Sequence, residues 1–496
     1  MQATAQGARV SPAAPAKHPR GLYTLFFTEM WERFSYYGMR ALLVLFMVDA
    51  VKKGGLGLTD VTATAIYGLY TAAVYLAALP GGWVADRFLG AQRSVWYGGI
   101  VIACGHFTLA IPTTQTFYLG LLLVVLGTGL LKPNVSAIVG ELYPEGGARR
   151  DAGFTVFYMG INLGAALGPL VCSALGENLN WHYGFAAAGV GMVLGLAQYR
   201  LSAGYLGAAG LRAGHQEGAG RKDYLLLAGL GGAVTVLVVL VALGVVRINP
   251  VVLAEGARNV IVAVAVLYFV SVFLFFRLDA TERKRVAVIV VLFLSSAMFW
   301  SGFEQAGSSL NLFAERFTQR VFSGTTIPAG WFQSLGPVFI ISLAPVVAAV
   351  WVWLARRSLN PSLPAKFALG LLLLAAGFLV MAGASKLVAT GNKVWPQWLI
   401  MTYLLHSIGE LCLSPVGLSS VTKLAPRRLV GQMMGTWFLA TSLGNLIAGL
   451  TAGKFSADGV AQMSGRYVHI VLMMAGTGLL LLVFTKPIRK LMAGVE

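Results

Sequence analysis

Charged residues are scarce in this chain of 496 residues, because Asp, Glu, Lys and Arg together make up 11% of it. A soluble globular domain usually carries about 25% charged residues, so that class of protein is excluded. Hydrophobic residues make up 57% of the sequence, and the mean hydropathy is +0.74. The chain contains fourteen apolar segments of roughly 18–28 residues, the length of a membrane-spanning helix. The composition therefore predicts an all-α polytopic membrane protein.

Cysteine is almost absent, and the pattern of the remaining reactive side chains indicates no enzyme. Cys104, Cys172 and Cys412 lie in apolar segments without metal-ligand spacing, so neither a disulfide nor a zinc site is expected. No predicted span carries a Ser/His/Asp set, an HExxH motif or paired metal-binding aspartates. We therefore expect no catalytic residues and no metal site. A sensor is disfavoured as well, because the sequence has no sizeable soluble output domain.

Acidic residues are outnumbered, with 19 Asp and Glu against 37 Lys and Arg, which gives a net charge of +18. This excess does not indicate a nucleic-acid partner, because the basic residues cluster in loops between the apolar segments. Examples are the clusters at residues 149–150, 283–285, 356–357 and 427–428. Such clusters mark cytoplasmic loops of membrane proteins. We expect a multi-pass protein of the cell inner membrane with both termini in the cytoplasm.

Matching prolines suggest that the chain contains a duplicated six-helix unit. Pro144 follows Pro133 by eleven residues in the first half, and Pro426 follows Pro415 by the same interval in the second. Duplicated bundles place a substrate site between their halves, near the bilayer midplane. The predicted organisation is a cytoplasmic tail at 1–20, a six-helix bundle at 21–202, cytoplasmic linkers and an inserted helix pair at 203–285, a six-helix bundle at 286–486 and a cytoplasmic tail at 487–496.

The first apolar segment contains four ionisable residues, Glu29, Glu32, Arg33 and Arg40. A charge near the bilayer centre costs roughly 2.5–3.5 kcal/mol on insertion scales. At 3.6 residues per turn, Glu29, Glu32, Arg33 and Tyr36 fall on one helical face and can point into a cavity. One interpretation is an ion-pair cluster that locks helices together. The other is a face that binds protons and substrate, which intramembrane ionisable groups favour.

Several motifs carry a resemblance to known families. The loop that contains Gly82, Asp86, Arg87, Gly90 and Arg93 is similar to the cytoplasmic loop motif of the major facilitator superfamily. Glu29, Glu32, Arg33 and Phe34 resemble the ExxER[FY] signature of the proton-dependent oligopeptide transporters. Similar family blocks follow in order at residues 127–134, 157–164, 299–309, 409–417 and 437–439. The resemblance implies a major facilitator fold with two pseudo-symmetric six-helix bundles and two extra helices, 14 transmembrane helices in all.

The same resemblance implies roles for individual residues. The residues that match proton-coupling positions are Glu29, Glu32, Arg33, Lys132 and Glu304. In the family pattern the lysine pairs with a first-span acid. The residues that match substrate-binding positions are Arg40, Tyr36, Tyr37, Tyr75, Lys132, Asn162, Glu304, Glu410, Ser414 and Trp437. Arg40 corresponds to the residue that receives the peptide carboxylate, and Glu410 to the one that receives the peptide amino terminus.

The function implied is proton-coupled symport of di- and tripeptides into the cell by alternating access. The implied partners are peptides, protons and the lipid bilayer; the energy comes from the proton gradient, and no cofactor is expected. Nothing in the sequence demands more than a monomer. An alternative is transport of another small solute, such as nitrate, a drug or a peptide-like compound. One position departs from the family pattern, because Gly336 stands where relatives often carry Asn before the proline.

Overall fold

The computed structural model describes residues 17–145, 147–211, 220–453 and 459–494. Most of the predicted tail at 1–20 and the middle of the linker that follows the sixth span therefore lie outside the described residues, whereas most of the predicted tail at 487–496 lies within them. The α-helices are α1 Arg20–Val48, α2 Asp60–Val84, α3 Ala91–Leu109, α4 Thr114–Glu141, α5 Gly147–Asn178, α6 Trp181–Ser202, α7 Arg221–Ala242, α8 Pro250–Phe275, α9 Ala280–Phe303, α10 Ser309–Phe317, α11 Leu335–Arg356, α12 Leu363–Val388, α13 Gln397–Leu424, α14 Val430–Ala452, α15 Val460–Val483 and α16 Thr485–Leu491.

Short elements fill several of the connections between these helices. They are the 3₁₀ helices Val51–Lys53, Ala203–Leu206, Glu304–Gly307, Ala329–Ser334 and Arg427–Leu429, the π turn Ala85–Leu89, and the strands β1 Val321–Phe322 and β2 Thr325–Thr326. The two strands pair in antiparallel fashion, with Val321 opposite Thr326. They form a small hairpin between α10 and α11.

The prediction of an all-helical membrane protein is confirmed. Within the described ranges, fourteen helices have 19 residues or more, and eleven segments are long and apolar enough to cross a membrane. Three of the fourteen long helices, α1, α3 and α6, are less apolar than these eleven segments. Their sequences explain this result, because α1 carries the ionisable residues of the first span and both α3 and α6 contain His, Gln and Arg.

Local signals in the sequence begin several of these helices. Thr59 accepts a hydrogen bond from the Thr62 N–H at the start of α2, and Asn249 accepts from the Val251 N–H at the start of α8. Asp279 and Glu282 form a reciprocal capping box before α9. These side chains satisfy backbone N–H groups that the first turn of a helix leaves unpaired. Pro133 and Pro415, which suggested the internal repeat, both lie within helices, in α4 and α13.

The helices pack in two groups that follow the order of the chain. In the first group α1 packs on α5 and α6, α3 packs on α4 and α6, and α2 packs on α4. In the second group α12 packs on α13 and α15, α9 packs on α14, and α11 packs on α13. The groups meet where α2 contacts α14 and where α5 contacts α11. The domain limits that we drew from the sequence stay predictions.

The inserted helices α7 and α8 lie outside these groups. Helix α8 packs across α2 and α14, at the junction of the two groups. The apolar window of α7 is 0% buried, so its side chains are available to lipid on all sides. One aromatic contact ties α7 to the rest of the protein, since the Tyr224 and Phe88 ring centroids are 5.2 Å apart.

Glycine allows α2 and α14 to approach closely at the junction. A Cβ atom added at Gly449 would lie 2.6 Å from the Cα atom of Gly68, and one added at Gly68 would lie 3.0 Å from the Cα atom of Gly449. Real Cβ atoms do not approach backbone so closely, so a larger residue would force the helices apart. Small residues at such crossings are a common way to pack helices in membranes.

We predict that Gly449→Ala destabilises the protein by about 1–3 kcal/mol, the usual cost of overpacking. The matched control is Gly435→Ala on the same helix, where the nearest neighbour of an added Cβ atom lies 4.0 Å away. Thermal unfolding in detergent, followed by tryptophan fluorescence, measures both variants. An equal shift of the melting temperature in the two variants would contradict this account of the junction.

Candidate functional site

A cavity of about 220 Å³ lies between the two groups of helices. The first group contributes wall residues from α1, α2, α4 and α5, and the second contributes them from α9, α11 and α13. The lining residues used below are Glu29, Arg33, Tyr37, Arg40, Tyr75, Lys132, Tyr158, Ile161, Asn162, Trp300, Glu304, Gln333, Gly336, Ile340, Tyr403, Ser407 and Glu410. Nine of the residues predicted from the sequence therefore share one cavity.

The ionisable face of α1 forms a compact cluster on one side of this cavity. The Arg33 Nε atom lies 3.0 Å from Glu29 Oε1 and 2.6 Å from Glu32 Oε2. All three side chains are at most 4% exposed. Glu29 Oε2 and Glu32 Oε1 are buried without a hydrogen-bond partner among the described residues. Two carboxylates against one guanidinium leave one net negative charge, which a single bound proton would neutralise.

Lys132 does not make the ion pair that the family resemblance implied. Its Nζ atom lies 4.0 Å from the ring centroid of Tyr75, a cation–π arrangement. No carboxylate oxygen of a described residue lies within ion-pairing distance of it. The ammonium group lies over the Tyr75 ring instead, while Arg33 pairs with one oxygen of each first-span acid. The ammonium group is therefore free to pair with a ligand in the cavity.

Arg40 joins the two groups of helices. Its Nη2 atom lies 3.0 Å from Glu304 Oε2, and both side chains are at most 7% exposed. The guanidinium also lies 5.2 Å from the ring centroid of Tyr37 and 5.9 Å from that of Tyr67. Glu304 begins a 3₁₀ turn that interrupts the span between α9 and α10. Interrupted helices of this kind commonly form binding sites near the midplane of transporters.

Glu410 occupies the opposite wall, on α13. It makes no hydrogen bond or ion pair to another residue in the described part of the chain. Tyr403 and Ser407 precede it by seven and three residues and line the same wall. The sequence reasoning missed these two residues, although helical spacing from Glu410 could have identified them. It also missed Tyr158, Trp300 and Gln333 as cavity residues, although Tyr158 and Trp300 lie in the blocks at 157–164 and 299–309 and Gln333 precedes Gly336 by three residues.

Four predicted residues lie outside the cavity wall. Glu32 is 0% exposed beneath Arg33, and Tyr36 is 3% exposed. Ser414 lies one turn beyond Glu410 on α13, and its buried Oγ atom has no partner among the described residues. Trp437 packs on Phe367 with ring centroids 6.3 Å apart, between helices of the second group. The substrate-binding roles of Tyr36, Ser414 and Trp437 stay predictions.

Asn162 lines the cavity from α5. Its Nδ2 atom donates a hydrogen bond to the Tyr158 carbonyl oxygen at 3.0 Å, one turn earlier on the same helix. This local bond occupies one amide N–H group and restrains the side chain. An amide oxygen held in this way is available to a hydrogen-bond donor in the cavity.

Polar contacts join the two groups of helices at the end where α1 stops and α2 begins, which we name the closed end. Arg316 makes two hydrogen bonds to the Asp60 carboxylate, at 2.7 and 2.9 Å. Glu177 accepts hydrogen bonds from the Ala329 and Gly330 N–H groups at 2.6 and 2.8 Å. Each contact joins a residue of the first group to one of the second. The sequence reasoning assigned no role to these residues.

The fold and the charged cavity between two helical groups define a polytopic α-helical transporter of the major facilitator type. Residues 92–209 and 251–465 match the family model described as PTR2, POT family. The chain belongs to the POT family, as the sequence motifs predicted. The prediction that it is not an enzyme is also confirmed, because this is a family of transporters.

Individual relatives agree with this assignment. The peptide transporter YePEPT of Yersinia enterocolitica is 44% identical over 495 residues, which is 97% of this chain and 96% of the relative. A di-/tripeptide transporter of Lactococcus lactis subsp. cremoris is 37% identical over 495 residues, 96% of this chain and 97% of the relative. A crystal structure of the peptide transporter POT in complex with sulfate superposes with a TM-score of 0.89 at 42% identity, covering 97% of each chain.

We predict that Arg33→Gln destabilises the protein by about 3–5 kcal/mol at neutral pH, because it leaves two buried carboxylates without their cation. The matched control is Arg149→Gln. Arg149 also pairs with a glutamate four residues away, at 2.9 Å, but both side chains are more than a third exposed. Exposed pairs contribute about 0–1 kcal/mol.

Thermal unfolding in detergent measures both variants. The triple substitution Glu29→Gln, Glu32→Gln and Arg33→Gln should recover most of the lost stability, because it removes every charge of the cluster. Similar melting temperatures for Arg33→Gln and Arg149→Gln would contradict the role of the buried cluster.

Proposed function

We propose that the protein carries di- and tripeptides into the cell together with protons, by alternating access to the cavity. The observation that carries this proposal is the placement of unpaired charge. Among the Glu, Lys and Arg side chains that line the cavity, those of Lys132 and Glu410 have no ion-pair partner among the described residues, and they project from opposite groups of helices. A zwitterionic peptide suits this arrangement, with its carboxylate toward Lys132 and its amino group toward Glu410.

Arg40 is the second cation for the peptide carboxylate. In the present state it is paired with Glu304, so binding of a carboxylate to Arg40 competes with that pair. Release of Glu304 leaves an acid that a proton can neutralise. Tyr37, Tyr75 and Asn162 provide further polar contacts for the peptide. This competition links occupancy of the peptide site to the charge state of Glu304.

The proton is carried by the cluster of Glu29, Glu32 and Arg33, with Lys132 nearby in the cavity wall. The cluster holds one net negative charge and two buried, unpartnered carboxylate oxygens, so it is suited to accept a proton. The proton gradient supplies the energy, and no cofactor takes part. The protein works in the cell inner membrane as a monomer with both termini in the cytoplasm.

In that orientation the closed end faces outward and the cavity is reached from the cytoplasm. Outward opening then requires the contacts of Asp60 with Arg316 and of Glu177 with the turn at 329–330 to break. The bundles at 21–202 and 286–486 move relative to each other about the cavity, and the helix pair within 203–285 stays peripheral. Transport of nitrate or another small anion is less well supported, because Glu304 and Glu410 would repel it.

Uptake of labelled dialanine into proteoliposomes tests the function. With an inward proton gradient, wild-type protein should accumulate dialanine, and an ionophore should abolish the accumulation.

We predict that Glu32→Gln loses gradient-driven accumulation but retains exchange of external for internal dialanine. The matched control, Glu255→Gln on the exposed surface of α8, should behave as wild type. Gradient-driven accumulation by Glu32→Gln would exclude the proton role of Glu32. Wild-type uptake of nitrate, without uptake of dialanine, would favour the alternative solute.

A second prediction concerns the amino end of the peptide. Glu410→Gln should weaken dialanine binding about 10- to 100-fold, since a hydrogen bond to a charged group contributes roughly 1.5–3 kcal/mol. Acetylation of the dialanine amino group should weaken binding to wild type by a similar factor. Acetylation should cause little further loss of affinity in Glu410→Gln, because that variant already lacks the contact between the carboxylate and the amino group. Calorimetric titration in detergent measures the four combinations, and additive losses would contradict direct recognition of the amine by Glu410.

A further inference from the structure

Gly336 leaves a recess in the cavity wall. It lies in the first turn of α11, and its carbonyl oxygen lies 3.3 Å from the Ser407 hydroxyl, which also donates a hydrogen bond to the Tyr403 carbonyl oxygen at 2.7 Å. A Cβ atom added at Gly336 would have only the Ser407 Oγ atom within 4 Å, at a distance of 3.8 Å. The Gly336 carbonyl oxygen is therefore in contact with α13, while the space beside the α-carbon remains open. The structure thus has room for a ligand group where a larger residue would project its own side chain.

Gln333 supplies an unused hydrogen-bond donor beside this recess. It precedes Gly336 by three residues, at the end of the 3₁₀ helix Ala329–Ser334, so both residues line the same wall. Its side chain is 8% exposed, and its Nε2 atom is buried without a partner in the described part of the chain. A buried donor without an acceptor is unfavourable. A ligand that brings an acceptor atom would remove this penalty.

The neighbouring residue fixes the position of the Gln333 backbone. The Ser334 hydroxyl donates a hydrogen bond to the Ala166 carbonyl oxygen of α5 at 2.7 Å. This bond holds the turn against α5, so the Gln333 side chain projects from an anchored segment. Ile340, one turn after Gly336, is 5% exposed and contributes an apolar wall to the same cavity. An apolar wall with one amide donor suits an uncharged polar group better than a charged one.

The recess lies close to the acid proposed to bind the peptide amine. Ser407, which contacts Gly336, precedes Glu410 by three residues and therefore shares its face of α13. In a peptide, the side chain of the first residue branches from the carbon atom that carries the amino group. A peptide with its amino group at Glu410 would direct this side chain toward the recess.

We propose that the recess at Gly336 takes the side chain of the amino-terminal residue of the peptide, and that the Gln333 amide donates a hydrogen bond to an acceptor oxygen of that side chain. The site therefore prefers peptides that begin with an uncharged polar residue, such as glutamine. This inference rests on the proposed function, since it deepens the assignment of the same cavity to peptides.

Competition experiments test the preference. Uptake of labelled dialanine is measured against increasing Gln-Ala or Met-Ala, whose first side chains have similar length but differ in the amide. Wild type should bind Gln-Ala about fivefold more tightly than Met-Ala, the effect of one ordinary hydrogen bond. Gln333→Met should reduce this ratio to about one. The matched control is Gln397→Met at the exposed start of α13, which should retain the wild-type ratio.

The position of the side chain is tested separately. Ala-Gln and Ala-Met carry the same side chains on the second residue, and their ratio should not change in Gln333→Met. Gly336→Val should weaken both Gln-Ala and Met-Ala at least tenfold relative to dialanine, because it fills the recess. If Gly336→Val does not fold, Gly336→Ala should cause a smaller change in the same direction.

Several results would overturn the inference while leaving the proposed function intact. These are equal affinity of wild type for Gln-Ala and Met-Ala, an unchanged ratio in Gln333→Met, and an effect confined to the second residue. Failure of wild type to accumulate dialanine would overturn the proposed function instead. In that case calorimetric titration with Gln-Ala and Met-Ala decides the inference, and absence of Gln-Ala binding would overturn it.

Discussion

The pairing of Arg33 with Glu29 and Glu32 is the interaction on which the rest of the structure depends. Three ionised side chains inside a membrane helix are costly unless they pair with each other and are shielded from lipid. Helix α5 provides part of that shield, because a Cβ atom added at Gly164 would lie 2.9 Å from the Arg33 Cβ atom. The glycine of the fifth-span motif therefore has a packing role, since it allows α5 to cover the charged face of α1. The remaining open side of the cluster is the cavity, where a proton or a ligand can reach it.

The charges of the cavity explain how two ligands can influence each other. Arg33 and Arg40 both have ion-pair partners inside the protein: Arg33 pairs with acids of its own helix, and Arg40 pairs with Glu304 of the second group. Lys132 and Glu410 are left for an external partner. A ligand that engages these residues, or displaces Glu304 from Arg40, changes the balance of charge around the first-span acids. Coupling requires only that proton and peptide favour the same arrangement of the two helical groups, since each can then increase the population to which the other binds.

Much of this architecture could be predicted from the sequence, because long apolar segments and intramembrane charges are strong local signals. The helical composition followed from the apolar segments, whereas the family and the nine cavity residues followed from the resemblance of several motifs to family signatures. The contact of Lys132 with Tyr75 could not be predicted, because it depends on how the side chains of α1, α2 and α4 lie relative to one another in three dimensions. The contacts of Asp60 with Arg316 and of Glu177 with the turn at 329–330 could not be predicted either, since they join segments far apart in the chain. The recess at Gly336 was visible only as a departure from a family pattern, and its open side required the coordinates of α13.

In the proposed function, protons and peptides pass through the same cavity in a coupled manner. The most direct test is the pH inside proteoliposomes, reported by a trapped fluorescent dye while dialanine is added outside. No proton gradient is imposed at the start, and a potassium ionophore prevents the build-up of a membrane potential. We predict that dialanine entry acidifies the interior of vesicles that contain wild-type protein. Entry of labelled dialanine without any change of internal pH would contradict it.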